Sequence, residues 1–281
     1  MRLPSTLLTA CVAAALLLPT MRTTLRAQTP APPAPAPSVT WPGAARMALS
    51  LSFDDGRESQ VTKGLPVFAR HAAKVTLYVV PSAVERRLDE WKQAVAAGHE
   101  IGSHSLTHSC SGNFPFARLK ALEDHSIARM HEELVESNRR IADLLDVTPR
   151  TFAYPCGQTF VGRGRDTQSY VPVVADLYRA GRGWLDEAAN DPAFVDLAQT
   201  LGVEMDGKDF AEIQPLIAEA TSRGAWLVLA GHEIGDGGRQ TTRVAMLDEL
   251  LAYAKDPAND IWLATVADVA DHITRNRQQA R

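Results

Sequence analysis

The 281-residue chain lacks three features that would narrow its function: an excess of basic residues, a second long apolar run, and an internal repeat. Its 29 Lys and Arg residues face 33 Asp and Glu residues. This balance argues against nucleic acid or an anionic membrane as the main partner. Because no repeat or second linker divides it, the roughly 240 residues that follow the amino-terminal region suit one α/β domain of barrel size.

Cysteine is scarce, with only Cys11, Cys110 and Cys156 in the chain. Cys11 falls in a segment that we expect to be removed. The other two remain, and an exported protein can join them in a disulfide, so we expect either a Cys110–Cys156 bridge or two buried free thiols.

Residues 1–27 are typical of a secretory signal peptide. Arg2 gives a positive start, the apolar run 7–18 is too short to span a bilayer, and Ala27 suits cleavage. This segment holds three arginines and no acidic residue, so its removal leaves 26 basic and 33 acidic side chains, a net charge of −7. We therefore expect an exported protein, periplasmic or secreted, with no stable membrane insertion after cleavage.

Residues 28–45 are rich in proline and alanine, and this composition predicts an extended linker. We place the catalytic domain at 46–281. Within it, strand-like runs alternate with helix-like runs, which is the pattern of βαβ units around a parallel sheet. The predicted strands cover 47–53, 75–80, 99–103, 151–154, 179–184, 225–230 and 261–266.

The first candidate motif is Ser52-Phe53-Asp54-Asp55-Gly56, in which an apolar strand runs into two carboxylates. Neighbouring strand side chains point to opposite faces, so both acids can share a site only if the chain turns there. Gly56 permits such a turn. The carboxyl ends of parallel strands are where α/β folds place their sites, so one acid can hold a metal while the other accepts a proton.

The second motif is His104-Ser105-Leu106-Thr107-His108, which follows another predicted strand. Two histidines four residues apart on a helical turn share one face and can bind one ion. Together with a carboxylate from the first motif, they would form the three-ligand set of catalytic zinc sites, which leaves one position open for water.

Two further strand ends carry polar groups. Thr151-Phe152-Ala153-Tyr154-Pro155-Cys156-Gly157 ends one strand, and His232 directly follows the apolar strand that ends at Ala230-Gly231. A histidine in this position can supply the proton donor that the other motifs lack.

These motifs resemble those of the polysaccharide deacetylase family, the NodB-homology carbohydrate esterases, over residues 46 to 270. The resemblance implies an α/β fold, a distorted (β/α) barrel of about seven strands, and removal of acetyl groups from an N-acetylated or O-acetylated polysaccharide. It implies a divalent metal, expected to be zinc, with cobalt, nickel or manganese as alternatives. The glycan is then the expected partner.

Carried over by position, the resemblance assigns a role to each motif residue. Asp54 is similar to the family's catalytic base and His232 to its catalytic acid, while the backbone N–H of Cys156 takes the place of its oxyanion donor. The metal ligands would be Asp55, His104 and His108. We also expect substrate contacts from Tyr154, Trp184 and Phe114.

The third motif departs from the family pattern. The arginine that pairs with the base in the family aligns with Ala153, and the family's tyrosine aligns with Cys156. We consider Arg163, Arg165 and Arg182 as substitutes for that arginine, or as surface residues. The family's Asp-x-x-Asp-Trp motif has no clear match. We consider the Gly183–Asp186 stretch, which contains Trp184, as the corresponding aromatic wall of the site.

Three other functions stay open on the sequence alone. Cys156 could act as the nucleophile of a thiol amidohydrolase. The same metal site could open the C–N bond of a small cyclic amide or ureide. The absent arginine could instead indicate a glycan-binding homologue without turnover.

Overall fold

The computed structural model describes residues 39–279, so the predicted signal peptide and residues 28–38 lie outside the described part. Eight parallel strands form the main sheet: β1 (Met47–Phe53), β2 (Thr76–Val79), β3 (Glu100–Ser103), β4 (Thr151–Ala153), β5 (Ala180–Arg182), β6 (Val203–Glu204), β7 (Trp226–Gly231) and β8 (Ile261–Leu263). Seven of them follow the order β5-β4-β3-β2-β1-β7-β6, and β8 also pairs with the start of β1. This confirms the predicted α/β barrel of about seven strands.

Eight helices cover the sheet: α1 (Leu65–Arg70), α2 (Pro81–Glu85), α3 (Leu88–Ala96), α4 (Ile127–Leu145), α5 (Val171–Leu177), α6 (Phe210–Ser222), α7 (Val244–Lys255) and α8 (Val266–Gln279). A π turn, Gln60–Gly64, leads into α1. Long apolar side chains explain the most regular of them: α4 buries Met130, Leu134, Ile141 and Leu145 at helical spacing. In the part of the chain that the structure covers, no helix is both long and apolar enough to cross a membrane.

The two central strands determine where the core lies. Every residue of β1 and β7 is buried, as expected for parallel strands covered on both faces. Six consecutive residue pairs, from Ala48–Trp226 to Phe53–Gly231, hold the two strands together. The main apolar cluster packs around them, so the strand ends that carry the motifs extend from the buried core.

The sheet curls because a short segment joins its two ends. The backbone N–H of Thr200 donates to the Gly181 carbonyl at 2.7 Å, in β5. A few residues later, Val203 pairs with Leu229 of β7. The segment therefore connects the β5 edge to β7, and side chains from distant strands meet inside the curved sheet.

Several boundaries differ from those expected. Trp41 is 6% exposed and its indole N–H donates to the Gly224 carbonyl at 3.0 Å, so the described end of the predicted linker is packed against the folded unit rather than extended. The segment after β7 holds a short strand, Glu233–Gly235, paired with Thr241–Arg243. Helix α8 begins at Val266, where we expected the last strand to end.

Candidate active site and metal centre

All the pairings of the main sheet run parallel, so the carboxyl ends of its strands lie at one edge, and each predicted motif follows such an end. Asp54 and Asp55 follow β1, His104 follows β3, and His232 follows β7. Sharp turns aim these side chains: Asp55 has φ 72°, and His108 has φ 54°, both in the left-handed region. Non-glycine residues in this region store strain, and such strain concentrates at functional sites.

The three predicted metal ligands converge. Oδ1 of Asp55 lies 3.4 Å from Nε2 of His104 and 3.1 Å from Nε2 of His108. The three ligand atoms all lie within 4.8 Å of one another. One carboxylate oxygen and two imidazole nitrogens are the donor set of catalytic zinc sites.

Hydrogen bonds outside this triad hold its members in a state that can bind an ion. Nδ1 of His104 lies 2.8 Å from the Ala153 carbonyl, which only an N–H can satisfy, so Nε2 keeps its lone pair toward Asp55. The other carboxylate oxygen of Asp55 accepts from Nε and Nη2 of Arg57 at 2.9 and 2.8 Å. The residues present therefore fit a divalent metal.

Arg182 replaces the arginine that the third motif lacks. Its guanidinium is fully buried, donates to the Asp54 carboxylate, and lies 5.2 Å from the centroid of the Tyr78 ring. Burial opposes ionisation of Asp54, but Arg182, together with His104 and His232, outweighs it and holds the pKa of Asp54 below its usual value. Arg163 instead pairs with Asp124 at the surface.

Asp206 is a site residue that the sequence reading missed. One of its carboxylate oxygens lies 2.7 Å from Nδ1 of His232, and the other accepts from the Thr242 hydroxyl at 2.7 Å. A Cβ on Gly231 would approach that second oxygen to 2.8 Å, so this close fit requires glycine there. Burial lowers the pKa of His232, but the Asp206 bond and the charges of Asp54 and Asp55 outweigh burial and raise it. Asp206 follows the two-residue strand β6, which is not among the predicted strands, so the sequence carried no clear signal for it.

Of the three residues expected to contact substrate, two lie near the site and one lies in the core. The Trp184 ring packs edge-on to His232 with centroids 4.7 Å apart, so it lies beside the site. Phe114 is 41% exposed and its ring lies tilted against that of Phe116, whose centroid is 6.1 Å from that of His108. Tyr154 is a correction: it is 1% exposed and its hydroxyl donates to the Ala198 carbonyl at 2.7 Å, so it is a core residue.

Cys110 and Cys156 form a disulfide, with Cα atoms 6.0 Å apart. It joins the loop that carries His108 to the turn after β4. Cys156 has φ 56°, and the turn continues with the Gly157 N–H donating to the Tyr154 carbonyl at 2.9 Å. The two-thiol alternative is therefore wrong, and the backbone of Cys156 is fixed next to the metal-ligand loop.

The strand ends of the α/β barrel therefore bring together a buried carboxylate paired with arginine, an imidazole paired with an acid, and three side chains that could hold a cation. Residues 44–168 match the polysaccharide deacetylase family model. This match, which covers less than half of the chain, agrees with the resemblance drawn from its motifs. The match includes the first three motifs and ends before Arg182, Asp206 and His232.

Individual relatives match parts of the chain. The chain is 29% identical to a gellan lyase of a Bacillus species over 136 residues, which are 48% of this chain and 5% of that protein. It is 29% identical to the peptidoglycan-N-acetylglucosamine deacetylase PgdA of Listeria monocytogenes over 110 residues, 39% of this chain and 21% of that protein. The chain thus spans well under half the length of these relatives.

A solved structure shows the same fold over most of the chain. A Mycobacterium smegmatis protein described as a polysaccharide deacetylase superposes with a TM-score of 0.64 at 16% identity. The superposition covers 87% of this chain and 96% of that one. At this identity the likeness concerns the fold alone.

The Asp206–His232 pair generates a prediction for pH dependence. An imidazole acts as an acid only while protonated, and the Asp206 carboxylate raises the pKa of His232. In Asp206→Asn, the alkaline limb of the kcat profile should therefore move to lower pH, and kcat near neutrality should fall roughly 10- to 100-fold.

The measurement is a kcat–pH profile of both proteins, with Asp248→Asn as control, since Asp248 pairs with surface residues Arg70 and His71. An alkaline limb that stays in place in Asp206→Asn would contradict the assigned role of Asp206.

Proposed function

We propose that the protein is a metal-dependent hydrolase that removes acetyl groups from an N-acetylated extracellular or cell-wall polysaccharide. The observation that carries the proposal is the convergence of Asp55, His104 and His108 between a buried carboxylate and a buried imidazole. The name of the Listeria relative, a peptidoglycan-N-acetylglucosamine deacetylase, supports the substrate class. The predicted signal peptide supports export to where such glycans lie.

Each residue has a defined part in this reaction. Asp55, His104 and His108 would hold a divalent ion, expected to be zinc, which would supply Lewis-acid polarisation of the acetyl carbonyl and lower the pKa of a nearby water toward ~7. Asp54, kept ionised by Arg182, accepts the proton of the attacking water. The N–H of Cys156 faces the oxyanion as it develops, and one such donor contributes about 3 kcal/mol.

His232 completes the reaction by giving its proton to the leaving group. An amine leaves poorly without a proton, so an acid on the side away from the base is required. Asp206 and the nearby carboxylates keep the imidazole protonated to higher pH than an isolated histidine. This arrangement favours an amide over an ester as the bond that is cleaved.

Two of the alternative functions lose their basis. A thiol nucleophile requires a free thiolate, whereas Cys156 is bonded to Cys110. A homologue without turnover was suggested by the missing arginine, and Arg182 now occupies that role beside Asp54.

The remaining alternative is a small cyclic amide or ureide. The exposed ring of Phe116 lies next to His108, and the exposed ring of Phe114 lies next to Phe116. They extend the contact surface beyond one acetyl group, which favours an extended glycan over a small enclosed substrate.

The first test is acetate release from N-acetylglucosamine oligomers, peptidoglycan fragments, O-acetylated xylan and small cyclic amides, with and without zinc. We expect acetate from the N-acetylated glycans only in the metal-loaded protein. His104→Ala should abolish release because the ligand set falls to two. His71→Ala, at a surface ion pair, should leave it unchanged. Full turnover by His104→Ala, or after chelation, would refute the proposal.

A second test concerns substrate contact by the aromatic pair. If a sugar ring covers roughly 40 Å² of the Phe116 face, burial at about 25 cal/mol per Å² contributes about 1 kcal/mol. Phe116→Ala should then raise KM for a glycan oligomer about fivefold with kcat nearly unchanged, since the contact is equal in ground and transition states.

The control is Phe194→Ala, because Phe194 is 88% exposed and has no described contact with the site. Equal KM values in wild type and Phe116→Ala would exclude a substrate subsite at this surface.

A further inference from the structure

Gln60 is a buried polar residue that the reaction described above does not use. It is the first residue of the π turn, six positions after Asp54, and its side chain is fully buried. π turns are rare and occur frequently at functional sites, because the extra residue redirects a side chain. The position of Gln60 in this π turn makes its side-chain contacts relevant to the site.

The carboxamide of Gln60 joins the two strand ends that carry the proposed base and acid. Nε2 donates to the Asp54 carbonyl at 2.6 Å and to the His232 carbonyl at 2.9 Å. Only the amide nitrogen can face two carbonyl oxygens, so the orientation of the group is determined. Within residues 39–279, the Oε1 atom has no hydrogen-bond partner. An unpaired buried acceptor is unfavourable, so this carboxamide has a cost in stability.

Neighbouring contacts fix the turn in place. The Ile234 N–H donates to the Ser59 hydroxyl at 2.9 Å, and that hydroxyl donates to Glu233. A Cβ on Gly64 would lie 2.6 Å from Cδ1 of Ile234, so glycine lets the helix approach the segment after β7. Gln60 is thus held between two segments that are already fastened to each other.

We propose that Gln60 is a positioning residue that sets the separation between Asp54 and His232. The inference rests on the proposed function, in which these two side chains act on opposite sides of the scissile bond. A displacement of about 1 Å in such an arrangement can lower the rate by roughly 10²-fold. Because the Gln60 side chain bonds to the backbone carbonyls of Asp54 and His232, it controls this distance without touching the substrate.

The test replaces Gln60 with methionine, which keeps the shape and removes both donors. We expect kcat to fall roughly 10- to 100-fold with KM within about twofold, because binding groups are untouched. Gln60→Glu, which has the same size and no donor when ionised, should show the same split, and it serves if the methionine variant does not fold.

A matched control comes from the other end of β7. Asn190 is also buried, and its Nδ2 donates to the carbonyls of Leu201 and Trp226 at 3.1 and 3.2 Å. Asn190→Leu should lower the thermal unfolding temperature as Gln60→Met does and leave kcat within about twofold. Equal kcat losses in the two variants would reduce Gln60 to a general stability residue and overturn the proposal, as would an unchanged kcat in Gln60→Met.

Amide exchange gives a readout that does not require turnover. The Asp54 N–H donates to the Gly231 carbonyl at 2.9 Å, so its exchange rate reports whether the two strand ends stay together. We expect about tenfold faster exchange in Gln60→Met and none of this change in Asn190→Leu. If wild-type protein releases no acetate but this exchange difference is found, the proposed function fails while the bridge stands; unchanged exchange refutes the bridge itself.

Discussion

The parallel direction of the sheet is the constraint on which the site depends. Parallel strands end at one edge, so every turn that leaves the sheet there can contribute a side chain to a common centre. Segment 200–204 curls the sheet, and the curl brings Arg182, at the edge strand β5, to Asp54 after the central strand β1. A flat sheet with the same strand order would hold these two residues several strands apart.

Compensation of buried charge is the second requirement, since an isolated ion in the interior is very costly. Two pairs of buried groups at the site compensate each other: Arg182 with Asp54, and Asp206 with His232. The pairing has chemical consequences, because it lowers the pKa of the carboxyl that must be ionised and raises the pKa of the imidazole that must be protonated. The same pairs that compensate the buried charges therefore also give Asp54 a lowered pKa and His232 a raised pKa.

The fold and half of the site could be predicted from sequence because their signals are local. An apolar run that ends in Asp54-Asp55-Gly56, or a histidine pair four residues apart, shows both the element and the donor groups within a few residues. Such patterns predicted a parallel sheet and a carboxylate with two histidines at its strand ends, and the family resemblance implied the barrel.

The remaining site residues depend on contacts far apart in the chain. Arg182 lies 128 positions from Asp54 in the chain. The sequence left three candidate arginines as the partner of Asp54, and only the curl of the sheet shows that Arg182 is the one in contact. Tyr154 appeared in a motif, but the next turn sends its side chain into the core. Gln60 belongs to no motif, and its position between Asp54 and His232 is seen only in the structure, where it begins a π turn.

The central claim is that Asp55, His104 and His108 hold one catalytic ion. The most direct measurement is a crystal structure of the zinc-loaded protein with anomalous data collected on both sides of the zinc edge. The account predicts a single strong anomalous peak about 2.0–2.2 Å from one carboxylate oxygen of Asp55 and from Nε2 of both histidines. A peak bound elsewhere, or none at this triad under saturating zinc, would contradict it.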